Sequence, residues 1–211
     1  MPNLLRTPLS EADVTAIRRC LDADGLLVVP TDTVYGIGAQ TTSEVAIRSL
    51  VGAKGRDLTM PPPVLVASDA QRATLTASWP ERAHALAEQF WPGALTLVVQ
   101  ANTQAIGWDP APIGGTIAVR LPNHADLRAL LQVTGPMAVT SANQHGQPPA
   151  TDIDQAQVAF GDDADIYIDA GPTPGPVPST IVSVAEDGTW RVLREGCIPA
   201  TRIDEVCAGV R

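Results

Sequence analysis

Short apolar runs alternate with amphipathic stretches along this chain. Ser10-Glu11-Ala12-Asp13 has the form of a capping box, in which the Ser hydroxyl and the acid satisfy free backbone N–H groups. Behind it Val14, Ile17 and Leu21 share a helical face, and Asp24-Gly25 ends the helix. Leu26-Leu27-Val28-Val29 reads as a short buried strand stopped by Pro30, and Ser43 caps a second helix carrying Val45, Ile47 and Leu50. A Gly- and Pro-rich loop from Gly52 to Pro63 leads to a strand over Val64–Ala67. Helical spacing returns over Glu81–Phe90, and Trp91-Pro92-Gly93 turns the chain into a strand at Leu95–Val99. Thr116–Arg120 alternates in the manner of a strand. A helix near Ala125–Leu131, a strand at Met137–Thr140 and a helix at Asp152–Phe160 follow. Strands at Ile166–Ile168, Thr180–Val184 and Trp190–Leu193 and a short helix around Ile203–Val206 complete the pattern.

Helices and strands alternate early and strands dominate late. That order predicts an α/β fold with a twisted mixed sheet, parallel and antiparallel, flanked by helices. No repeat or linker divides the 211 residues, so one domain over 1–211 is expected. The Pro/Gly-rich stretch Ala170–Pro178 leaves too short a tail for a second core. No apolar run approaches the roughly 18–20 residues that span a bilayer, and the N-terminus lacks the apolar core of a secretory signal. The expectation is a cytoplasmic protein with no membrane partner.

Charge adds two asymmetries. The net charge is −9, and from Ala129 to Trp190 there are eight acids and no Lys or Arg. A broad nucleic-acid footprint is therefore disfavoured, while a small cationic pocket remains compatible. Lys54 is the sole Lys beside 13 Arg, which singles it out for a specific role. Cys20, Cys197 and Cys207 have no pairing or zinc spacing, and His84, His124 and His145 are scattered, so no metal site is expected.

Familiar catalytic motifs are absent. There is no phosphate-loop sequence, no HExxH and no nucleophile elbow, and Gly36-Ile37-Gly38 only begins a dinucleotide fingerprint. What remains are polar residues at strand ends. Thr31-Asp32-Thr33 reads either as turn chemistry or as hydroxyls facing a cleft. Lys54-Gly55-Arg56 is a solvated basic turn or an anion clamp. Ser141 and Asn143, two apart after a strand, either brace a loop or address one ligand. Arg120 and Arg194 each close an apolar strand and suit either a salt bridge or a carboxylate or phosphate.

In combination these segments resemble the YrdC-like threonylcarbamoyl-AMP synthase family. Pro30–Ala39 is similar to its opening signature, Lys54-Gly55-Arg56 to its KxR element and Ser141-Ala142-Asn143 to its SxN element. Phe90–Thr96, Thr116–Pro122, Pro178–Val182 and Leu193–Gly196 follow in family order. The resemblance implies a YrdC-like fold with a concave cationic cavity. It implies condensation of L-threonine, bicarbonate (or CO2) and ATP to threonylcarbamoyl-AMP and pyrophosphate, a nucleotidyltransfer that serves threonylcarbamoylation of tRNA.

By the same resemblance Lys54, Arg56, Ser141 and Asn143 are catalytic, and with Thr116 and Arg194 they bind ATP. Arg120 would hold the threonine carboxylate, with Thr31 and Ser179 contacting the amino acid. ATP enters as substrate, and Mg²⁺ is expected mainly on the triphosphate. Transient contact with the threonylcarbamoyl-transfer machinery is implied, and direct tRNA binding stays open. Met60–Val66 lacks the His that many members carry there, and the resemblance is to the single-domain type, so no C-terminal extension domain is expected. The alternatives are an RNA-binding or ribosome-maturation factor using the same concavity, and carbamoyl transfer in hydrogenase maturation.

Overall fold

The computed structural model describes residues 2–55, 61–144 and 146–210. In chain order it contains β1 (Asn3–Arg6), α1 (Glu11–Asp22), β2 (Leu27–Val29), β3 (Gly36–Gln40), α2 (Glu44–Ala53) and β4 (Val64–Leu65). Then come α3 (Asp69–Leu75), α4 (Glu81–Phe90), β5 (Leu95–Gln100), β6 (Thr116–Arg120), α5 (Ala125–Thr134) and β7 (Met137–Ser141). The last elements are α6 (Ile153–Phe160), β8 (Ile166–Asp169), β9 (Thr180–Val184), β10 (Trp190–Arg194) and α7 (Ala200–Gly209).

The strands form one mixed sheet in the order β1-β8-β2-β3-β7-β4-β6-β5-β9-β10. β1 and β2 run parallel to β8, β4 to β6, and β5 to β9, while the remaining neighbours are antiparallel. Side chains from α2, α4, α6 and α7 join the larger hydrophobic core, and those from α1 and α5 join a smaller one. Strand alternation sorts residues between these layers. Val28, Val64 and Ala138 enter the larger core, and Leu27, Val29, Leu65, Met137 and Val139 enter the smaller.

Capping chemistry fixes several helix starts. Ser10 Oγ accepts from the Asp13 amide while Asp13 accepts from the Ser10 amide, the expected capping box. Ser43 Oγ accepts from the Ala46 amide at 3.2 Å. Asp152 is the N-cap of α6 rather than its first residue, accepting from the Gln155 amide at 2.9 Å. His124 caps α5 through Nδ1, at 3.3 Å from the Leu127 amide.

Gly36-Ile37-Gly38 forms no phosphate-binding turn; it lies inside β3. A Cβ on Gly36 would sit 2.4 Å from Val139 Cγ1, and one on Gly38 would sit 2.7 Å from Val139 Cγ2. These glycines let β3 lie close against β7, whose end carries Ser141.

Candidate active site

Among the described residues a cavity of about 600 Å³ opens beside the sheet. Its wall follows the pleat. Thr96 and Val98 on β5, Thr116, Ala118 and Arg120 on β6, and Ile181 on β9 line it. The intervening Leu95, Leu97, Val99, Ile117, Val119 and Val182 point into the larger core. The alternation visible in Thr116–Arg120 thus separates cavity from core. From the far side the end of α2 brings Leu50, Val51 and its C-cap Lys54, and the end of β7 brings Thr140 and Ser141.

Of the four cations expected in one hollow, Lys54, Arg120 and Arg194 line this cavity. Arg56 lies outside the described residues. Lys54 is 1% exposed, and its ammonium donates to the Ser141 carbonyl at 2.6 Å, to the Asn143 carbonyl and to Asn143 Oδ1 at 3.1 Å. It therefore ties the end of α2 to the turn after β7. Ser141 Oγ donates to Asn143 Oδ1 at 2.6 Å, and Asn143 Nδ2 donates to the carbonyls of Gln144 and Gln147. β7 ends at Ser141, so strand alternation does not reach Asn143. Ser141 faces the cavity, whereas the Asn143 side chain braces the loop and is not part of the cavity wall.

Arg120 is held on three sides. Nη2 donates to Asp32 Oδ1 at 2.6 Å, Nη1 to Thr33 Oγ1 at 3.2 Å, and Nε to the Gly93 carbonyl at 2.9 Å. Burial lowers the guanidinium's affinity for its proton, and the Asp32 carboxylate opposes that effect. A guanidinium has five N–H groups. Two of them, one on each terminal nitrogen, have no acceptor among the described residues, and Arg120 faces the cavity.

Following the hydroxyl protons separates donors from braces. Thr31 Oγ1 donates to the Val34 carbonyl at 2.6 Å and accepts from the amides of Thr33 and Val34. Its contact with Thr33 Oγ1 at 3.1 Å then takes the proton from Thr33. Thr31 lines the cavity and braces the turn through these bonds, and Thr33 beside it is the residue that meets Arg120. Thr116 Oγ1 donates to the Ile113 carbonyl at 3.0 Å. Thr96 Oγ1 and Ser179 Oγ lie 2.9 Å apart, and Arg194 Nη2 donates to the Ser179 carbonyl at 2.7 Å.

Two close approaches hold this wall. A Cβ on Gly93 would lie 2.5 Å from the Phe90 carbonyl, so the Trp91-Pro92-Gly93 turn requires glycine to aim the carbonyl that receives Arg120 Nε. A Cβ on Gly196 would lie 2.2 Å from the Pro178 carbonyl, where the segment after Arg194 crosses the start of β9.

The profile of the Sua5/YciO/YrdC family, described as "Telomere recombination", matches residues 19–196. The chain belongs to this family. A Mycobacterium leprae relative is 45% identical over 86% of this chain and 81% of its own. The Bacillus subtilis threonylcarbamoyl-AMP synthase is 38% identical over 86% of this chain and 52% of its own. Among solved structures, P. abyssi Sua5 complexed with L-threonine superposes with a TM-score of 0.87 at 32% identity. That match covers 98% of this chain and 60% of the Sua5 chain, so the present chain spans little more than half of the longer relatives.

Pro61, Pro62, Pro63 and Leu65 form an apolar stretch of wall, in the segment where the resemblance implied a His that this sequence lacks. Asp32, Thr33 and Thr96 were not singled out as individual site residues by sequence reasoning. Asp32 and Thr33 stood within a triplet that fitted a turn equally well. Thr96 left one signal, a polar residue of cavity parity inside an apolar strand.

Proposed function

We propose that this chain is an L-threonylcarbamoyladenylate synthase, a nucleotidyltransferase of the cytoplasm acting as one unit over residues 1–211. The observation that carries the reading is the convergence of Lys54, Arg120 and Arg194, from three separate elements, on one cavity of a family member. The names of the Bacillus relative and of the threonine-bound Sua5 structure support the same reaction.

The neutral threonine amine adds to the carbon of bicarbonate, forming a C–N bond and releasing water. A carbamate oxygen then attacks the α-phosphorus of ATP, and the bond to pyrophosphate breaks. Two anions must be brought together, so fixed cations and oriented donors lower the barrier. In this scheme the two spare N–H groups of Arg120 fork onto the threonine carboxylate. Arg194, Lys54 and Arg56 serve the nucleotide phosphates, with Thr116 and Ser141 beside them. Lys54 and Asn143 also hold the turn that presents Ser141. Thr31 acts through Thr33, and Ser179 meets the amino-acid end.

Among the described residues no group of three or more His, Cys, Asp or Glu could hold a metal ion. In this scheme Mg²⁺ arrives on the triphosphate and is ligated chiefly by phosphate oxygens. The product is a mixed anhydride, and its consumption by transfer to a tRNA adenosine implies transient contact with the transferase machinery. No observation favours an RNA-binding role instead; the acidic stretch from Ala129 to Trp190 opposes a wide footprint. No helix of the described residues is long and apolar enough to cross a membrane.

The test is incubation with ATP, bicarbonate and each amino acid in turn, reading pyrophosphate and the adenylate by mass. Threonylcarbamoyl-AMP formed with threonine is the expected result. Absence of any adenylate would remove the proposal.

A further inference from the structure

We propose that the Thr96–Ser179 hydroxyl pair is the binding site for the one-carbon unit, the carboxyl of bicarbonate and then of the threonine carbamate. The proposal rests on the synthase reading above and adds a location that it left open.

Register places the pair. In the antiparallel β5–β6 ladder Leu97 faces Val119, so the next position sets Thr96 opposite Arg120. Thr96 pairs with Ile181 on β9, and Ile181 pairs with Arg194 on β10. Arg120, Thr96, Ile181 and Arg194 therefore form one row across four adjacent strands, with Ser179 two residues before Ile181. The hydroxyl pair lies between the arginine assigned to the amino acid and the arginine assigned to the phosphates. The reacting carbon must occupy that interval, because it joins the amine to the α-phosphate.

Proton accounting gives the chemistry. Two hydroxyls carry two protons, and their 2.9 Å contact uses one. Neither oxygen has another acceptor among the described residues, although Thr96 is 1% and Ser179 6% exposed. Both line the cavity. A buried O–H without an acceptor is costly, and an oxyanion in the cavity would satisfy it. Arg194 Nη2, on the Ser179 carbonyl at 2.7 Å and 3.4 Å from its Oγ, adds positive charge at the same point.

Thr96→Val removes the hydroxyl and keeps the shape, Thr96→Ser keeps the hydroxyl, and Ser179→Ala removes the partner. Pyrophosphate release is measured with bicarbonate, threonine and ATP varied separately. The valine and alanine variants should raise the bicarbonate KM at least fivefold while moving the ATP KM less than twofold; Thr96→Val should also leave the threonine KM within twofold, and Thr96→Ser should stay near wild type. A shift confined to threonine in Thr96→Val, or no shift, overturns the site. Independently, the ¹³C linewidth of H¹³CO₃⁻ with threonine and a non-hydrolysable ATP analogue should broaden with wild type and not with Thr96→Val. Equal broadening by both, or none by wild type, also overturns it. Wild type that broadens the signal yet releases no pyrophosphate would retire the synthase reading and leave the site standing.

Discussion

Asp32 forms a closed ion pair with Arg120 of the cavity wall, with Nη2 2.6 Å from Oδ1 and side chains only 13% and 6% exposed. Such a pair contributes little net stability when compared with apolar replacements, yet removing one partner leaves a buried charge without its counterion. Asp32→Ala should therefore lower unfolding free energy by about 3 kcal/mol. Asp32→Asn, which retains an acceptor, should lose less. In both variants the guanidinium is less well aimed, so the threonine KM should rise more than the ATP KM. Urea denaturation and pyrophosphate release measure the two effects, and an ATP-selective defect would reassign Arg120.

Lys54 and Arg194 should behave as opposites in stability. Lys54→Ala strands the Asn143 carbonyl and removes one of the two donors to the Ser141 carbonyl and to Asn143 Oδ1. We expect at least about tenfold slower adenylate formation, equal to roughly 1.4 kcal/mol, together with a clear fall in Tm. Asn143→Ala should share this phenotype, since it opens the same turn. Arg194 is exposed at the rim, so Arg194→Ala should leave unfolding within about 0.5 kcal/mol of wild type while raising the ATP KM. Unimpaired turnover from Lys54→Ala would remove its role at the site.

Much of the architecture was legible because alternation and capping are local signals. Ser10 and Ser43 start their helices as read, and Thr116–Arg120 is a strand with its polar positions on one face. β1 and β3 were missed. Asn3–Arg6 is only four residues of an edge strand, and β3 is built on glycines whose extended form depends on Val139 across the ladder. The short helix Asp69–Leu75 was missed too. In the site, the scarcity of Lys pointed to Lys54, strand-end positions to Arg120 and Arg194, and two-residue spacing to Ser141, yet none of these could tell a hydroxyl with a spare proton from a saturated one. Thr31 and Thr96 look alike in sequence; only their partners distinguish a turn brace from a donor to the cavity.

Two Gly→Ala changes should move stability in opposite directions. At Gly93 the added methyl would meet the Phe90 carbonyl at 2.5 Å. The turn must shift, which should cost about 1–3 kcal/mol and raise the threonine KM by displacing the carbonyl bonded to Arg120 Nε. At Gly52, inside α2, an added Cβ meets nothing within 4 Å among the described residues. There the helix propensity of alanine should stabilise by about 0.5–1 kcal/mol without altering kinetics. Thermal melts of the two variants provide the comparison, and destabilisation by Gly52→Ala would contradict the open surface at that position.

The three thiols should react in an order set by burial. Burial and the Asp165 carboxylate push Cys20 up to about 11 from an ordinary 9.0, and Cys207 is buried. Cys197 is exposed, its thiol raised by burial but eased by the Arg120 guanidinium. At pH 8 the Cys20 thiolate should be about a hundredfold scarcer than that of an ordinary thiol, because each pH unit is a factor of ten. Iodoacetamide followed by peptide mass analysis should therefore label Cys197 first, and Cys197→Ser protein should remain unlabelled over the same interval. The native state holds the Cys20 proton more tightly than the unfolded chain does. Its contribution to stability is thus fully present below pH 9 and lost as the pH rises towards 11. Cys20→Ser should flatten that alkaline fall in a denaturation series from pH 8 to pH 11, and an unchanged slope would show that other groups govern it.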